Sequence, residues 1–269
     1  MINIIGQEKL VNKLNNYNIN TLPHALLFIG PKGCGKHLMA SYVAEKLALE
    51  LVSIDDTFSS DDISTFNYKT IKTLYLIDLN NFTEKQQNIF LKTLEDASST
   101  AYFILTATSE AGILNTILNR CIKYTFEPYT KEQVEQITNN SVNDLAFKIF
   151  QTPGKLLNLT EVSFKAILDI AEKVVHKINL ANYANTLSIS TKINYKDLYN
   201  KVDFNLFFDA VEYLALEDYK STANEQSFIV FKITNQFKQY ATRQNLIKET
   251  LMLNYLTTLW EAVHDTNRT

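Results

Sequence analysis

The sequence predicts an α/β fold: a five-stranded parallel sheet bearing a phosphate-loop motif, followed by a small helical segment and an all-α region. Three observations lead there. Short apolar runs alternate with helical periodicity through the first 128 residues. The first run, Ala25-Leu26-Leu27-Phe28-Ile29, passes directly into Gly30-Pro31-Lys32-Gly33-Cys34-Gly35-Lys36-His37, a G-x-x-x-x-G-K loop that opens a helical pattern. No glycine follows Gly154, and long helical periodicities fill the remainder.

Each element follows from its own residues. Residues 7–17 form a helix with Leu10, Val11, Leu14 and Tyr17 on one face. Thr21-Leu22-Pro23-His24 leads into the first strand; His24 could approach a base or a backbone group, but at a strand start it reads more simply as a packing residue. After the glycine loop, Met39, Val43 and Leu47 recur every four residues and give the next helix its buried face. Residues 51–54 are a short strand. Residues 55–70 are polar and acidic, with Asp55, Asp56, Asp61 and Asp62; their spacing matches no calcium loop, and they read as a solvated connection. Leu74-Tyr75-Leu76-Ile77-Asp78 is a buried strand ending in a carboxylate. Thr83-Glu84-Lys85-Gln86 is a capping box that starts a helix running through Leu94. Residues 102–106 are a fourth strand, and 111–118 a short apolar helix or turn ending at Asn119-Arg120-Cys121. Ile122, Tyr124 and Phe126 then alternate as a fifth strand, closed by Glu127-Pro128. Residues 130–158 fit two or three short helices, broken at Pro153-Gly154. Beyond them Ile167, Ala171, Val174 and Ile178, then Phe204, Phe207, Val211 and Leu214, then the patterns over 229–240 and 251–260, mark the helices of a bundle.

Composition narrows the function classes. A chain of 269 residues, 46% apolar and 20% charged, is that of an ordinary globular protein with room for more than one domain. No apolar run reaches the length of a bilayer span, and no basic N-terminal region precedes an apolar stretch, so the expectation is a cytoplasmic chain with no membrane partner. Cys34 and Cys121 cannot build a four-cysteine zinc module, and a disulfide between them is not expected in that compartment. The formal charge of -3 argues against gripping DNA through bulk electrostatics, though not against a DNA surface shared within an assembly.

The chemistry concentrates in the glycine loop. Glycines let backbone N–H groups approach a polyphosphate, the helix N-terminus adds a favourable field, and Lys36 supplies a point charge for the outer phosphates. A P-loop ends in Ser or Thr because a hydroxyl ligates Mg²⁺. Here that place holds His37, whose neutral imidazole is a poor ligand for a hard cation. Asp78, at the end of an apolar strand, has the placement of a carboxylate that supports a Mg²⁺ shell.

Several segments together resemble the clamp-loader subunits of the AAA+ superfamily, most closely the bacterial DNA polymerase III delta-prime subunit. They are Ile5-Gly6-Gln7; Leu22-Pro23-His24-Ala25-Leu26-Leu27-Phe28 into Gly30; Leu91-Lys92-Thr93-Leu94-Glu95; and Phe103-Ile104-Leu105 through Thr116-Ile117-Leu118-Asn119-Arg120-Cys121. The resemblance spans the first half of the chain and implies an AAA+ domain over 1–128, a helical lid over 129–160 and a helical collar for oligomerisation over 161–269. Carried over residue by residue, it makes Gly30 to Lys36 the phosphate loop (Walker A), with His37 in the Ser/Thr place. Asp78 becomes the Walker B aspartate, with Leu79 where an active AAA+ ATPase has a glutamate to polarise water. The sensor-1 position falls on Ala107 or Thr108, of which only Thr108 can hydrogen-bond. Arg120 corresponds to the arginine finger that reaches a neighbour's ATP site, although Asn119 replaces the usual serine. The sensor-2 arginine falls on Gly154 and is missing; Lys155 stands beside it. The family's zinc module is absent from the short link between the P-loop helix and the Walker B strand, as in compact clamp loaders, including viral ones.

The departures form a pattern: the parts for hydrolysing one's own ATP are replaced (His37, Leu79, Gly154), and the part that serves a neighbour is kept (Arg120). The resemblance therefore implies a non-hydrolysing subunit, with ATP or ADP as a possible ligand and Mg²⁺ not bound in the usual way. Its partners would be other clamp-loader subunits joined through the collar, a sliding clamp, and primer–template DNA contacted at the phosphate backbone. Lys232, Lys238, Arg243 and Lys248, in the collar region, read as a solvated helix face rather than a DNA site. The alternatives are a working AAA+ ATPase, in which Asn80 or Asn81 would orient the water that Leu79 cannot, and a plain binding module with a vestigial loop.

Overall fold

Strand alternation decides the architecture. In a parallel strand, successive side chains point to opposite sheet faces, and a sheet made of such strands needs both faces covered. The structure, a computed structural model, describes residues 2–54, 72–96, 100–177, 204–241 and 248–265. The acidic stretch with Asp55, Asp56, Asp61 and Asp62, together with Ile178 and Arg243, lies outside the described residues, as does the side chain of Lys248. Five strands, β1 (Ala25–Ile29), β2 (Glu50–Ile54), β3 (Thr73–Asp78), β4 (Ala101–Ala107) and β5 (Ile122–Thr125), form one sheet in the order β2-β3-β4-β1-β5. Every pairing is parallel.

One face carries Ala25, Leu27, Ile29, Tyr75, Ile77, Phe103 and Leu105, and packs on Phe90 and Leu94 of α3 (Glu84–Asp96) and Ile117 and Leu118 of α4 (Asn115–Leu118). The other carries Leu26, Phe28, Leu74, Leu76, Ile104 and Tyr124, and packs on Leu10 and Leu14 of α1 (Glu8–Asn15) and Met39, Ala40 and Val43 of α2 (Lys36–Leu47). Odd and even positions of the same strands thus feed two cores. The capping box at Thr83 forms as its sequence requires: the Thr83 N–H donates to Gln86 Oε1 at 2.9 Å, and the Gln86 N–H donates to Thr83 Oγ1 at 3.3 Å. His24 is a packing residue, its ring edge-on to Phe103 at 5.2 Å, and burial pulls its pKa down.

Two details in the first part of the chain differ from the sequence reading. Ile122 does not alternate inward with Tyr124 and Phe126; it is 46% exposed, because β5 is an edge strand and Ile122 begins it. Pro153 does not break a helix but opens one: it is the first residue of α7 (Pro153–Leu156), where its missing N–H costs nothing. The preceding helices are α5 (Lys131–Thr138) and α6 (Asp144–Phe150).

The chain divides into two compact units, residues 1–142 with 152–157, and residues 143–151 with 158–269. In the second, α8 (Glu161–Lys177), α9 (Phe204–Thr222), α10 (Glu225–Ala241) and α11 (Lys248–Asp265) enclose an aromatic core of Phe207, Phe208 and Tyr255. The buried Tyr255 hydroxyl is paired with Thr234 Oγ1 at 2.7 Å, which removes the cost of an orphaned polar group. Lys238 is not part of a solvated face. It is half-buried, with its ammonium 2.6 Å from Asp209 Oδ1 and paired also with Glu212, while Lys232 stays exposed over the Phe228 ring. Among the described residues no helix is long and apolar enough to cross a membrane.

Candidate functional site at the carboxyl ends of the strands

In a parallel α/β sheet, loops at the carboxyl ends of neighbouring strands share one edge. Strands β3, β4 and β1 are neighbours, with Asp78 beside Thr106 and Ala107 beside Ile29. The sheet therefore brings Asp78, Thr108 and the Gly30–His37 loop together from three separate stretches of sequence.

The loop has the shape of an anion nest. Gly33 and Gly35 take φ of +84° and +94°, a backbone region that side chains resist. The Lys36 N–H lies against the Cys34 thiol, and the N–H groups of His37 and Leu38, in the first turn of α2, stand at the positive end of the helix dipole. Lys36 is buried, and its ammonium turns back to donate to the carbonyls of Gly30 at 2.5 Å and Pro31 at 3.0 Å. Burial draws its pKa down, partly offset by the nearby Cys34 thiol and Asp78 carboxylate. Cys34 itself is buried, and its carbonyl accepts from the Tyr129 hydroxyl at 2.8 Å. Pro31, Lys32 and His37 are exposed.

The loop is clamped from one side. The Gly154 N–H donates to the Gly33 carbonyl at 2.9 Å, and Thr152 Oγ1 donates to the Lys32 carbonyl at 3.0 Å. Gly154 and Gly33 lie backbone to backbone: a Cβ on Gly154 would come within 2.8 Å of Gly33 Cα and O. The place that the resemblance gives to an arginine is thus occupied by a contact that only glycine permits.

Asp78 and Thr108 are joined through Asn80. The Asp78 carboxylate accepts from the Asn80 backbone N–H at 3.1 Å and from Asn80 Nδ2 at 2.5 Å. Asn80 Oδ1 in turn accepts from the Thr108 N–H and Oγ1, both at 2.9 Å. Both ends of the Asn80 amide are engaged in this bridge. Leu79 opens the short 3₁₀ turn after β3, is 3% exposed, and belongs to the core beneath the sheet. Ala107 is likewise core.

Arg120 follows α4 outside this cluster of residues. Its guanidinium donates to Glu95 Oε1 at 2.5 Å and to the Thr116 carbonyl at 2.9 Å, and its side chain is 39% exposed. Sequence reasoning alone did not single out Tyr129, Thr152, Gln87 or Glu95, whose roles depend on partners distant in sequence. A fit test follows from these contacts. The nest and the helix head suit a phosphate group, which needs N–H donors and a cation; Lys36 would serve as that cation on turning from the Gly30 and Pro31 carbonyls that it now meets. The donor set for Mg²⁺ is poorer, since His37 supplies no hydroxyl and Asp78 Oδ1 is taken by Asn80, which leaves Oδ2 of that carboxylate.

The strand order, the phosphate-type loop after β1, the carboxylate ending β3 and the helical second unit define the AAA+ P-loop fold. Solved structures agree on that fold. The Thermotoga maritima RuvB Holliday junction branch migration motor superposes with a TM-score of 0.51 at 14% identity, covering 76% of this chain and 87% of that one. A DNA polymerase III gamma subunit-related protein of the same organism gives 0.51 at 14% identity, covering 96% and 99%. Residues 60–130 match the family described as DNA polymerase III, delta subunit. The chain is 28% identical over 150 residues to the replication factor C small subunit of Natronomonas pharaonis, covering 49% of this chain and 46% of that protein. Over 258 residues it is 25% identical to the DNA polymerase III subunit gamma/tau of Mycoplasma genitalium, covering 82% and 42%. A replication factor C small subunit of Methanococcus maripaludis is 28% identical over 214 residues, covering 72% and 64%. The chain thus spans between 42% and 64% of the length of these three relatives. In sequence and fold it is similar to AAA+ clamp-loader subunits.

Proposed function

We propose that this chain is a clamp-loader subunit of the delta-prime kind, which does not hydrolyse ATP itself but serves the ATP site of a neighbouring subunit during DNA replication. One contrast supports the reading above all: Leu79 is sealed in the core while Arg120 stands at the surface on an exposed ion pair. A residue that must polarise water has to face the substrate, and Leu79 neither can nor does. An arginine that must reach another subunit has to be accessible and held by contacts weak enough to give up. An exposed ion pair is worth only about 0–1 kcal/mol.

In this chain's own loop, Gly33, Gly35, Lys36 and the N–H groups heading α2 would hold the phosphates of ATP or ADP. Asp78 stays tied to Thr108 through Asn80. ATP supplies a transferable γ-phosphoryl group at the neighbour's site; Arg120 would donate hydrogen bonds to the charge that develops on it, a contribution of about a thousandfold or more in rate. The second, helical unit would join other loader subunits, and the whole would act on a sliding clamp at primer–template DNA, touching phosphates rather than bases.

The test is Arg120→Ala in this chain within the reconstituted assembly, beside wild type and the chain alone. The expected result is no turnover by the chain alone, intact assembly, and collapse of clamp-stimulated turnover at the neighbouring site by about a thousandfold. Turnover by the isolated chain, or an unchanged mutant assembly, would refute the reading.

A further inference from the structure

The one-turn helix α4 that leads to Arg120 is too short to fix its own position. A single turn is below the length at which a helix is stable alone, so something outside it must set where it stands. Its N-cap is Leu114, which has no side chain able to cap, and the loop before it turns at Gly112 with φ +83°. Ile113 and Leu114 pack against the core beneath the sheet, and Ile117 and Leu118 are buried in it, but a Cβ added to Gly112 would meet nothing within 4 Å, so side-chain packing leaves the turn itself open.

Gln87 fixes the backbone of that turn. This residue sits on α3 and is 3% exposed. Its Nε2 donates to the Gly112 carbonyl at 2.8 Å, and its Oε1 accepts from the Leu114 N–H at 2.9 Å. The amide thus reads the backbone on both sides of residue 113, as a neighbouring strand would. Two turns further along the same helix, Glu95 meets the Arg120 guanidinium. Between these points the chain is short and locally bonded: the Arg120 N–H donates to the Ile117 carbonyl at 3.0 Å, and the Leu118 N–H to Leu114 at 3.1 Å. A buried amide bonded at both ends costs little, whereas its removal takes a partner from the Gly112 carbonyl and from the Leu114 N–H.

We propose that Gln87 is a positioning residue for Arg120: its two bonds to the Gly112–Leu114 backbone set where α4, and with it the Arg120 guanidinium, stands. The proposal rests on the reading that Arg120 acts on a neighbour's ATP site, and it deepens that reading by naming what aims the arginine. Displacement of a reacting group by about 1 Å can cost about a hundredfold in rate.

The experiment uses Gln87→Met, which keeps most of the volume and removes both bonds, together with the longer one from Nε2 to the Phe82 carbonyl at 3.4 Å, with Gln87→Ala beside it. Turnover of the reconstituted assembly is measured with each variant in the wild-type and Arg120→Ala backgrounds. In the free full-length chain, the side-chain ¹⁵N signals of Arg120 are followed by NMR. The expected result is a ten- to hundredfold lower kcat with KM unchanged in the wild-type background, no further loss in the Arg120→Ala background, and altered Arg120 guanidinium signals. Equal losses in both backgrounds, or unaltered guanidinium signals, overturn the proposal. If Arg120→Ala is itself silent, the functional reading fails, and the NMR signals alone decide whether Gln87 places Arg120.

Discussion

Replacing Gly154 by alanine tests the clamp on the phosphate loop. The added Cβ would lie 2.8 Å from both Cα and O of Gly33, against backbone that no rotamer change can move aside. The two segments must separate, and the separation takes with it the bond from the Gly154 N–H to Gly33 and weakens the one from Thr152 to the Lys32 carbonyl. One lost hydrogen bond at about 1 kcal/mol, part of a second of the same size and about 1 kcal/mol of residual overpacking give a loss of about 2–3 kcal/mol. For a protein of this size that lowers the thermal midpoint by roughly 4–12 °C. Paired melts of wild type and Gly154→Ala, followed by circular dichroism, provide the measurement. A mutant that melts within 1 °C of wild type would show that the glycine contact does not constrain the loop, and the argument would fall.

Two further outcomes are expected. Leu79→Glu should not create an ATPase, because the side chain enters the core rather than the site; it should instead destabilise the chain by about 3 kcal/mol or more, read by urea unfolding. Burial holds the Cys121 thiol and the Tyr129 phenol protonated, each pushed up to about 12 from ordinary values of 9.0 and 10.0. Because the folded chain keeps these protons longer than the unfolded one, their contribution is complete below pH 9 and is lost as pH rises to about 12. Melting temperature should therefore fall across that window, and Cys121→Ala should flatten the fall; a slope unchanged by the substitution would contradict the assignment.

The sheet is legible in the sequence because β1 and the middle stretches of β3 and β4, residues 74–77 and 102–105, are apolar on both faces, as a strand covered on both sides requires. The glycine loop is legible because three glycines and a lysine at fixed spacing have few other uses. Capping is legible at Thr83 because the box is purely local. Other features are not, and each depends on something no window contains. Ile122 continues an alternating pattern but begins an edge strand, so its partner face is water. Pro153 looks like a breaker, and only the chain direction around it makes it a helix start. Lys238 looks like a solvated charge until Asp209 and Glu212 arrive from another helix. The Asn80 bridge, the Tyr129 hydroxyl on Cys34 and the Gln87 amide pair with groups far along the chain, and Asn, Tyr and Gln carry no local signal that would announce such partners.

The buried Leu79 has a bearing on what can be reached by mutation. In a chain where that position faced solvent, a glutamate could be exchanged in and out at little cost, and hydrolysis could come and go by single steps. Here the leucine fills the core under β3, and Gly154 is walled in by Gly33, so on the function proposed above a change toward a hydrolysing site at either of these two positions first passes through a less stable protein, whereas the exposed His37 carries no such cost. On that proposed function the same packing acts as a ratchet, and a library built to install ATP turnover would have to change the core around position 79 and the wall around position 154 together.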